Sequence, residues 1–178
     1  YHLCEPSPQR TPVLFQAGTS DRGLLFAGRH AECVFISGQN KPSTKIQVDK
    51  VRASAVAAGR NPEDIKVFMG LNVIVGATEE LAWVKHAEYL SYASAEAGVA
   101  HFSASTGIDF SEYKIDEPIQ YVKSNAIQSA TKNLQNNDWT RRKLLEQHAL
   151  GGRYITVVGS PGQVADELES WIAETGLD

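Results

Sequence analysis

The stretch VLFQAGTSDRGLLFAGRHAECVFI, residues 13–36, reads as strand, turn, helix and strand. Val13, Leu14 and Phe15 form a short apolar run that predicts a buried strand. Residues 16–23 (QAGTSDRG) form a Gly- and Ser-containing turn, and a helix is expected over residues 20–30 with Leu24, Leu25 and Ala27 as apolar members. Residues 33–36 (CVFI) predict a second buried strand. Apolar strands without polar alternation are covered on both faces, and a helix between two of them is the connection that parallel pairing requires.

The rest of the chain extends this pattern. Residues 5–12 hold three prolines and predict an extended lead-in. After a loop at 37–43, residues 44–58 read as a helix through Ile46, Val48, Val51 and Ala55, with Gly59 as its stop. A turn at 60–64 leads to the strongest strand signal, residues 66–75 (KVFMGLNVIV). A helix is expected over 78–97, capped by Thr78, with Leu81, Val84, Ala87 and Leu90 on one face and Gly98 as its stop. Residues 99–118 show no sustained period and predict an irregular insertion, a functional or mobile lid. Helices are expected over 119–134 and 139–149, followed by a strand at 154–158. The last helix opens with Ser160 as N-cap, Pro161 at the first position and Gln163 completing a capping box, and Val164, Leu168, Trp171 and Ile172 form its stripe. Strands alternating with helices define the class as α/β with a parallel sheet.

Composition narrows the function classes. Leu, Ile, Val and Phe supply 43 of the 178 residues, enough for one globular domain of ordinary size. Lys and Arg number 17 against 21 Asp and Glu, a net charge of −4, which argues against nucleic acid as a partner. No apolar run is long enough to span a membrane, and no signal peptide is read at the start. Cys4 and Cys33 are too few for a disulfide scaffold, so a reduced, cytoplasmic chain is expected. With no CxxC and no His pair at i, i+4, no metal site is expected.

Two places could carry chemistry. Gly18, Thr19 and Ser20 link a strand to a helix start, where a glycine turn, hydroxyls and unpaired N–H groups suit a phosphate. The plainer reading is that Thr19 or Ser20 only caps the helix. His101 opens the irregular stretch and could act as acid, base or hydrogen-bond donor near neutral pH. His30 is expected at a helix end, and His86 and His148 on helix surfaces.

Four segments carry a family resemblance. They are residues 3–35 (LCEPSPQRTPVLFQAGTSDRGLLFAGRHAECVF), 58–62 (AGRNP), 105–110 (STGIDF) and 158–168 (VGSPGQVADEL). In this order they resemble the flavin-dependent monooxygenases of the bacterial-luciferase superfamily, in the branch of nitrilotriacetate, dibenzothiophene-sulfone and long-chain alkane monooxygenases. SPQRTPVLFQAG is the specific run, and GSPGQVADEL is shared more widely.

The resemblance implies part of a (β/α)8 TIM barrel, with residues 13–15, 33–36 and 66–75 as strands five to seven and the eighth beyond the chain. A closed barrel needs at least about 200 residues. The chain is therefore expected to be one partial domain, the C-terminal half, inactive by itself. The resemblance also implies reduced FMN supplied by a separate flavin reductase, O2, a small organic substrate and a homo-oligomeric intact enzyme. Ser20 matches the family's FMN-phosphate serine, with Gly18 and Thr19 beside it, and His101 matches an active-site histidine of the alkane-oxidising relatives. A flavin or deazaflavin hydride-transfer enzyme of the same superfamily, or a non-catalytic α/β binding domain, are the alternatives.

Overall fold

The computed structural model of the chain describes residue 5 and residues 7–119, 139–150 and 154–178. These residues divide into two compact units. Of the described residues, the first holds those up to 36, 41–69 and 172–178, and the second holds 37–40, 70–119, 139–150 and 154–171.

The first unit is built on three parallel strands in the order β1 (Phe15–Ala17), β2 (Cys33–Ile36), β3 (Lys66–Met69). Helix α1 (Asp21–His30) joins β1 to β2, and α2 (Lys41–Ala57) with a short 3-10 turn (Pro62–Asp64) joins β2 to β3. Alternation along β2 turns Val34 and Ile36 to the helices, where they meet Ala27, Ala31, Val48, Val51, Ala55, Ile65 and Val67 in one core. Ile46, expected in that stripe, is exposed. Gly28 lets α1 lie close on α2, since a Cβ there would run into the Ser54 carbonyl. Arg60 finishes α1 by donating to the Gly28 and Ala31 carbonyls at 3.2 and 2.8 Å.

The first strand lies two residues later than expected. Leu14 is held instead at the strand entrance, its N–H donating to the Glu32 carboxylate at 2.9 Å and its carbonyl accepting from Glu32 and Cys33 N–H. Helix α2 starts at Lys41, earlier than expected, because Pro42 fits a first turn, where no N–H is needed.

Asp178 closes the free edge of β3. Its N–H donates to the Val67 carbonyl at 3.1 Å, and its carboxylate accepts from Val67 N–H at 2.9 Å, Lys66 at 3.1 Å and Arg52 at 3.2 Å. Partial burial pushes this carboxyl up, but the Val67 amide, the Lys66 ammonium and the Arg52 charge outweigh burial and hold it below its ordinary value. A carboxyl depressed on folding stabilises the fold above its unfolded pKa, and that stability is lost as pH falls through the lower folded value. Asp178→Ala should cost about 2 kcal/mol at pH 7, judged from hydrogen bonds to a charged group. Urea unfolding checks this, and the wild type and variant should converge as pH falls through the lowered folded value of this carboxyl.

The second unit carries two parallel strands, β4 (Leu71–Val75) and β5 (Ile155–Gly159), with Leu71 opposite Ile155 and Val75 opposite Gly159. The expected single strand 66–75 is therefore two, in separate sheets, divided at Gly70. A side chain at Gly70 would collide with the Tyr154 ring. One more parallel strand than the resemblance allots, β5, lies beside β4 within the chain.

Helix α3 (Glu79–Tyr92) follows β4, capped by Thr78. It buries Ala82, beneath which a Cβ on Gly76 would not fit, and leaves Leu81, Val84 and Leu90 exposed, the reverse of the expected face. The helix expected to run to residue 97 stops at Ala93, which is extended (φ −84°, ψ 146°). Ser94 then caps a new helix, α4 (Ala95–Thr106), accepting Ala97 N–H at 3.2 Å. Gly98 is no stop; it lies inside α4, backed against the His148 carbonyl.

Residues 99–106, expected to be irregular, are thus helical, and Gly107 ends α4 in the left-handed region (φ 68°). A 3-10 turn (Phe110–Glu112) leads on, and Arg142 clamps Asp116 with two bonds of 2.7 and 3.0 Å. Helix α5 (Arg141–His148) packs on α4 around Val99, Ile108, Phe110, Ile119 and Leu144. His148 is buried rather than on the surface, stacked on Phe102 at 4.5 Å.

Helix α6 (Pro161–Thr175) opens on the expected capping box, with Ser160 N–H donating to Gln163 Oε1 at 3.0 Å. Val164 and Trp171 are buried, whereas Ile172 is exposed. Beyond Ile119, the helix expected over 119–134 lies outside the described residues, as do His2 and Cys4; Cys33 is buried and unpaired. Among the described residues, no helix is long and apolar enough to cross a membrane.

Candidate active site

The loop after β1 is shaped by two local requirements. Gly18 takes φ +102°, a conformation that strains any residue with a side chain, and the space where a Cβ would stand is open. Ser20 is the N-cap of α1 and accepts Gly23 N–H at 3.2 Å, while Leu24 N–H bonds the Ser20 carbonyl at 2.8 Å. The capping reading of Ser20 therefore holds.

Capping uses only part of what the loop offers. The amides of Asp21 and Arg22, in the first turn of α1, have no carbonyl four residues back in the helix and are left for an external acceptor. The helix adds partial positive charge at the same place. Thr19 is half-buried, and its hydroxyl reaches Gln47 Oε1 on α2 at 3.5 Å. Gly18 and Ser20 are exposed. This end of β1 can receive an anionic oxygen without displacing a protein group.

His101 sits in the second turn of α4, not in a loop. Its residue is exposed, and its carbonyl accepts the Ser105 hydroxyl at 3.0 Å. The helical repeat gives α4 three faces. Gly98, Phe102 and Thr106 turn to the core, His101 and Ser105 to the open side, and Glu96, Ala100, Ser103 and Ala104 border a groove.

That groove has a volume of about 550 Å3 and is completed by Gly107, Asp109 and Ser111 and by Arg141 and Leu145 of α5. Asp109 accepts from the Ser111 hydroxyl at 2.6 Å and the Ser111 N–H at 2.9 Å. These bonds, with a smaller pull from the Arg141 charge, hold its carboxyl below its ordinary value against slight desolvation.

The structure brings Gly18, Thr19 and Ser20 together in one loop of the first unit; His101 belongs to the second. Arg141 and Asp109 were not singled out from the sequence as groove residues. Thirty-one positions separate them, and no local motif joins them.

Comparison with known proteins adds a family. A family model described as luciferase-like monooxygenase matches residues 2–178. The chain is 42% identical over 182 residues to the dimethyl-sulfide monooxygenase of Hyphomicrobium sulfonivorans, covering 100% of this chain and 38% of that protein. It is 41% identical to the long-chain alkane monooxygenase of Geobacillus thermodenitrificans (strain NG80-2), covering 99% of this chain and 37% of that one. Among solved structures, DmoA from Hyphomicrobium sulfonivorans matches with a TM-score of 0.82 at 43% identity, over 99% of this chain and 38% of that one. Riboflavin lyase (RcaE), solved with modified FMN and its substrate riboflavin, matches with a TM-score of 0.88 at 37% identity, over 100% of this chain and 40% of that one. The chain thus spans about two fifths of the length of these relatives.

Proposed function

Because this chain belongs to the luciferase-like monooxygenase family, its fold being part of that TIM barrel, we propose that the whole protein is an FMN-dependent monooxygenase. It takes reduced FMN from a separate flavin reductase and, with O2, oxygenates a small organic molecule as a homo-oligomer. The observation that carries this reading is the full-length match of the chain to a dimethyl-sulfide monooxygenase at 42% identity. A curated relative from Pseudomonas fluorescens (strain Pf0-1), 33% identical over 93 residues, is named as FMNH2-dependent, which supports the choice of cofactor.

The loop after β1 fits the phosphate end of FMN. Gly18 leaves room for close backbone approach, Ser20 offers an exposed hydroxyl, and the Asp21 and Arg22 amides offer donors at a helix N-terminus. Thr19, tied to Gln47, fixes the loop from behind. Reduced FMN, when bound, supplies the electrons with which O2 is activated. His101 donates a hydrogen bond at the reacting end, and its exposure on α4 leaves the imidazole free to do so. The segment from α4 to residue 118 serves as a wall that keeps water from the reaction.

Ser20→Ala tests the loop. Removing one hydroxyl from a dianionic phosphate should weaken FMN binding by the whole protein about 10- to 100-fold, the equivalent of one charged hydrogen bond. Fluorescence titration reads this directly, and unchanged affinity removes Ser20 from the site. Because Ser20 also caps α1, Ser20→Asp is the companion variant. It keeps the cap, brings a negative charge to the phosphate, and should bind FMN still more weakly.

A further inference from the structure

We propose that Gly23 is a positioning residue for the flavin phosphate. Having no side chain, it lets the Gly18 carbonyl and the Ser20 hydroxyl close onto the first turn of α1, which leaves the Thr19 N–H and the Ser20 O–H to the phosphate. The inference rests on the FMN reading and adds a residue to the same site. Gly23 is the third residue of α1, where glycine is a poorer helix former than alanine. Its backbone does not call for glycine, because φ is not positive there. The requirement is steric. A Cβ on Gly23 would stand 3.1 Å from the Gly18 carbonyl oxygen, 3.1 Å from Ser20 Oγ and 3.7 Å from Gln16 Nε2. The two close approaches are to the two residues on which the phosphate reading depends.

The groups packed against Gly23 fix where their neighbours point. The Gly18–Thr19 peptide is trans, so the Thr19 N–H points opposite the Gly18 carbonyl, away from Gly23. Among the described residues, no backbone carbonyl takes that N–H. Ser20 Oγ accepts the Gly23 N–H at 3.2 Å, which leaves its own O–H to donate. With the Asp21 and Arg22 amides, consecutive residues from 19 to 22 then each offer one donor to an anionic oxygen. A methyl group at position 23 would push the Gly18 carbonyl and the Ser20 hydroxyl back by a few tenths of an ångström. The Thr19 N–H and Ser20 O–H would turn with them, and hydrogen bonds weaken steeply as their angle falls away.

The test compares FMN with riboflavin, which lacks the phosphate, by fluorescence titration of the whole protein. In the wild type FMN should bind more tightly than riboflavin. Gly23→Ala should weaken FMN about tenfold, part of the worth of hydrogen bonds to a charged group, and leave riboflavin within twofold. Its urea midpoint should not fall, since alanine suits a helix better than glycine. Gly162→Ala is the matched control, in the first turn of α6 with open space around its Cβ, and should leave FMN binding unchanged. Because Gly23 acts partly through Ser20, Gly23→Ala should cost FMN binding less in a Ser20→Ala background than in the wild type. An unfolded Gly23→Ala, or equal losses of FMN and riboflavin, would make Gly23 structural only and overturn the proposal. So would FMN binding untouched by Gly23→Ala, or weakened as much by Gly162→Ala. In those cases a wild type that prefers FMN leaves the FMN reading standing, whereas a wild type that binds no flavin overturns both.

Discussion

Phe110→Ala should lower the stability of the second unit by about 3–5 kcal/mol, the cost of emptying a fully buried aromatic site. Phe110 is the largest fully buried side chain among the described residues. It stacks on Phe102 at 5.4 Å with ring planes 7° apart, and Tyr113 leans on it at 6.4 Å. Around it lie Val99, Ile108, Ile119 and Leu144, drawn from segments far apart in sequence. These neighbours are anchored to different helices and turns, so they cannot collapse together into the space left behind. The cavity therefore persists, and its cost adds to the lost transfer energy. Urea unfolding followed by tryptophan fluorescence suits the test, because Trp139 packs against this cluster. A loss under 1 kcal/mol would mean that Phe110 does not centre this core.

The second large effect falls on turnover. His101→Ala should lower kcat about 100-fold or more, the usual loss when one positioned donor is removed from a reacting centre. FMN affinity should stay within twofold, since the phosphate is assigned to Gly18–Ser20 rather than to α4. Stability should change little, because His101 is exposed and its side chain is not part of the α4 core. His101→Gln, which keeps a donor, should recover part of the rate. Steady-state oxygen uptake with reduced FMN measures both variants against the wild type. Unchanged turnover with normal flavin binding would remove His101 from the reaction.

Much of the fold was legible because its signals are local. Cys33–Ile36 could be read as a strand from its apolar run, and the Ser160–Gln163 capping box from its spacing. Ser20 was readable as a cap for the same reason. The misreadings arise where a local signal has two meanings. Gly98 looks like a helix stop, yet it lies inside α4 because the His148 carbonyl approaches it. Gly70 looks like a tolerated residue in one long strand, yet it divides two, with the Tyr154 ring against it. Ser94 carries a capping signal that the longer helical pattern from 78 to 97 overrode. His148 has the spacing of a surface residue and is buried by its stack on Phe102. The groove was not legible at all, because Asp109 and Arg141 meet only once α4 and α5 have packed.

The central claim is that this chain forms part of an enzyme that places oxygen from O2 on an organic molecule with electrons from reduced FMN. The most direct measurement supplies the whole protein with chemically reduced FMN, 18O2 and a small organic compound that it consumes, and reads the product by mass spectrometry. The account predicts one 18O atom per product molecule, dependent on reduced FMN and diminished in His101→Ala. Product free of 18O, formed by hydride transfer alone, would contradict it, as would a whole protein that binds no flavin.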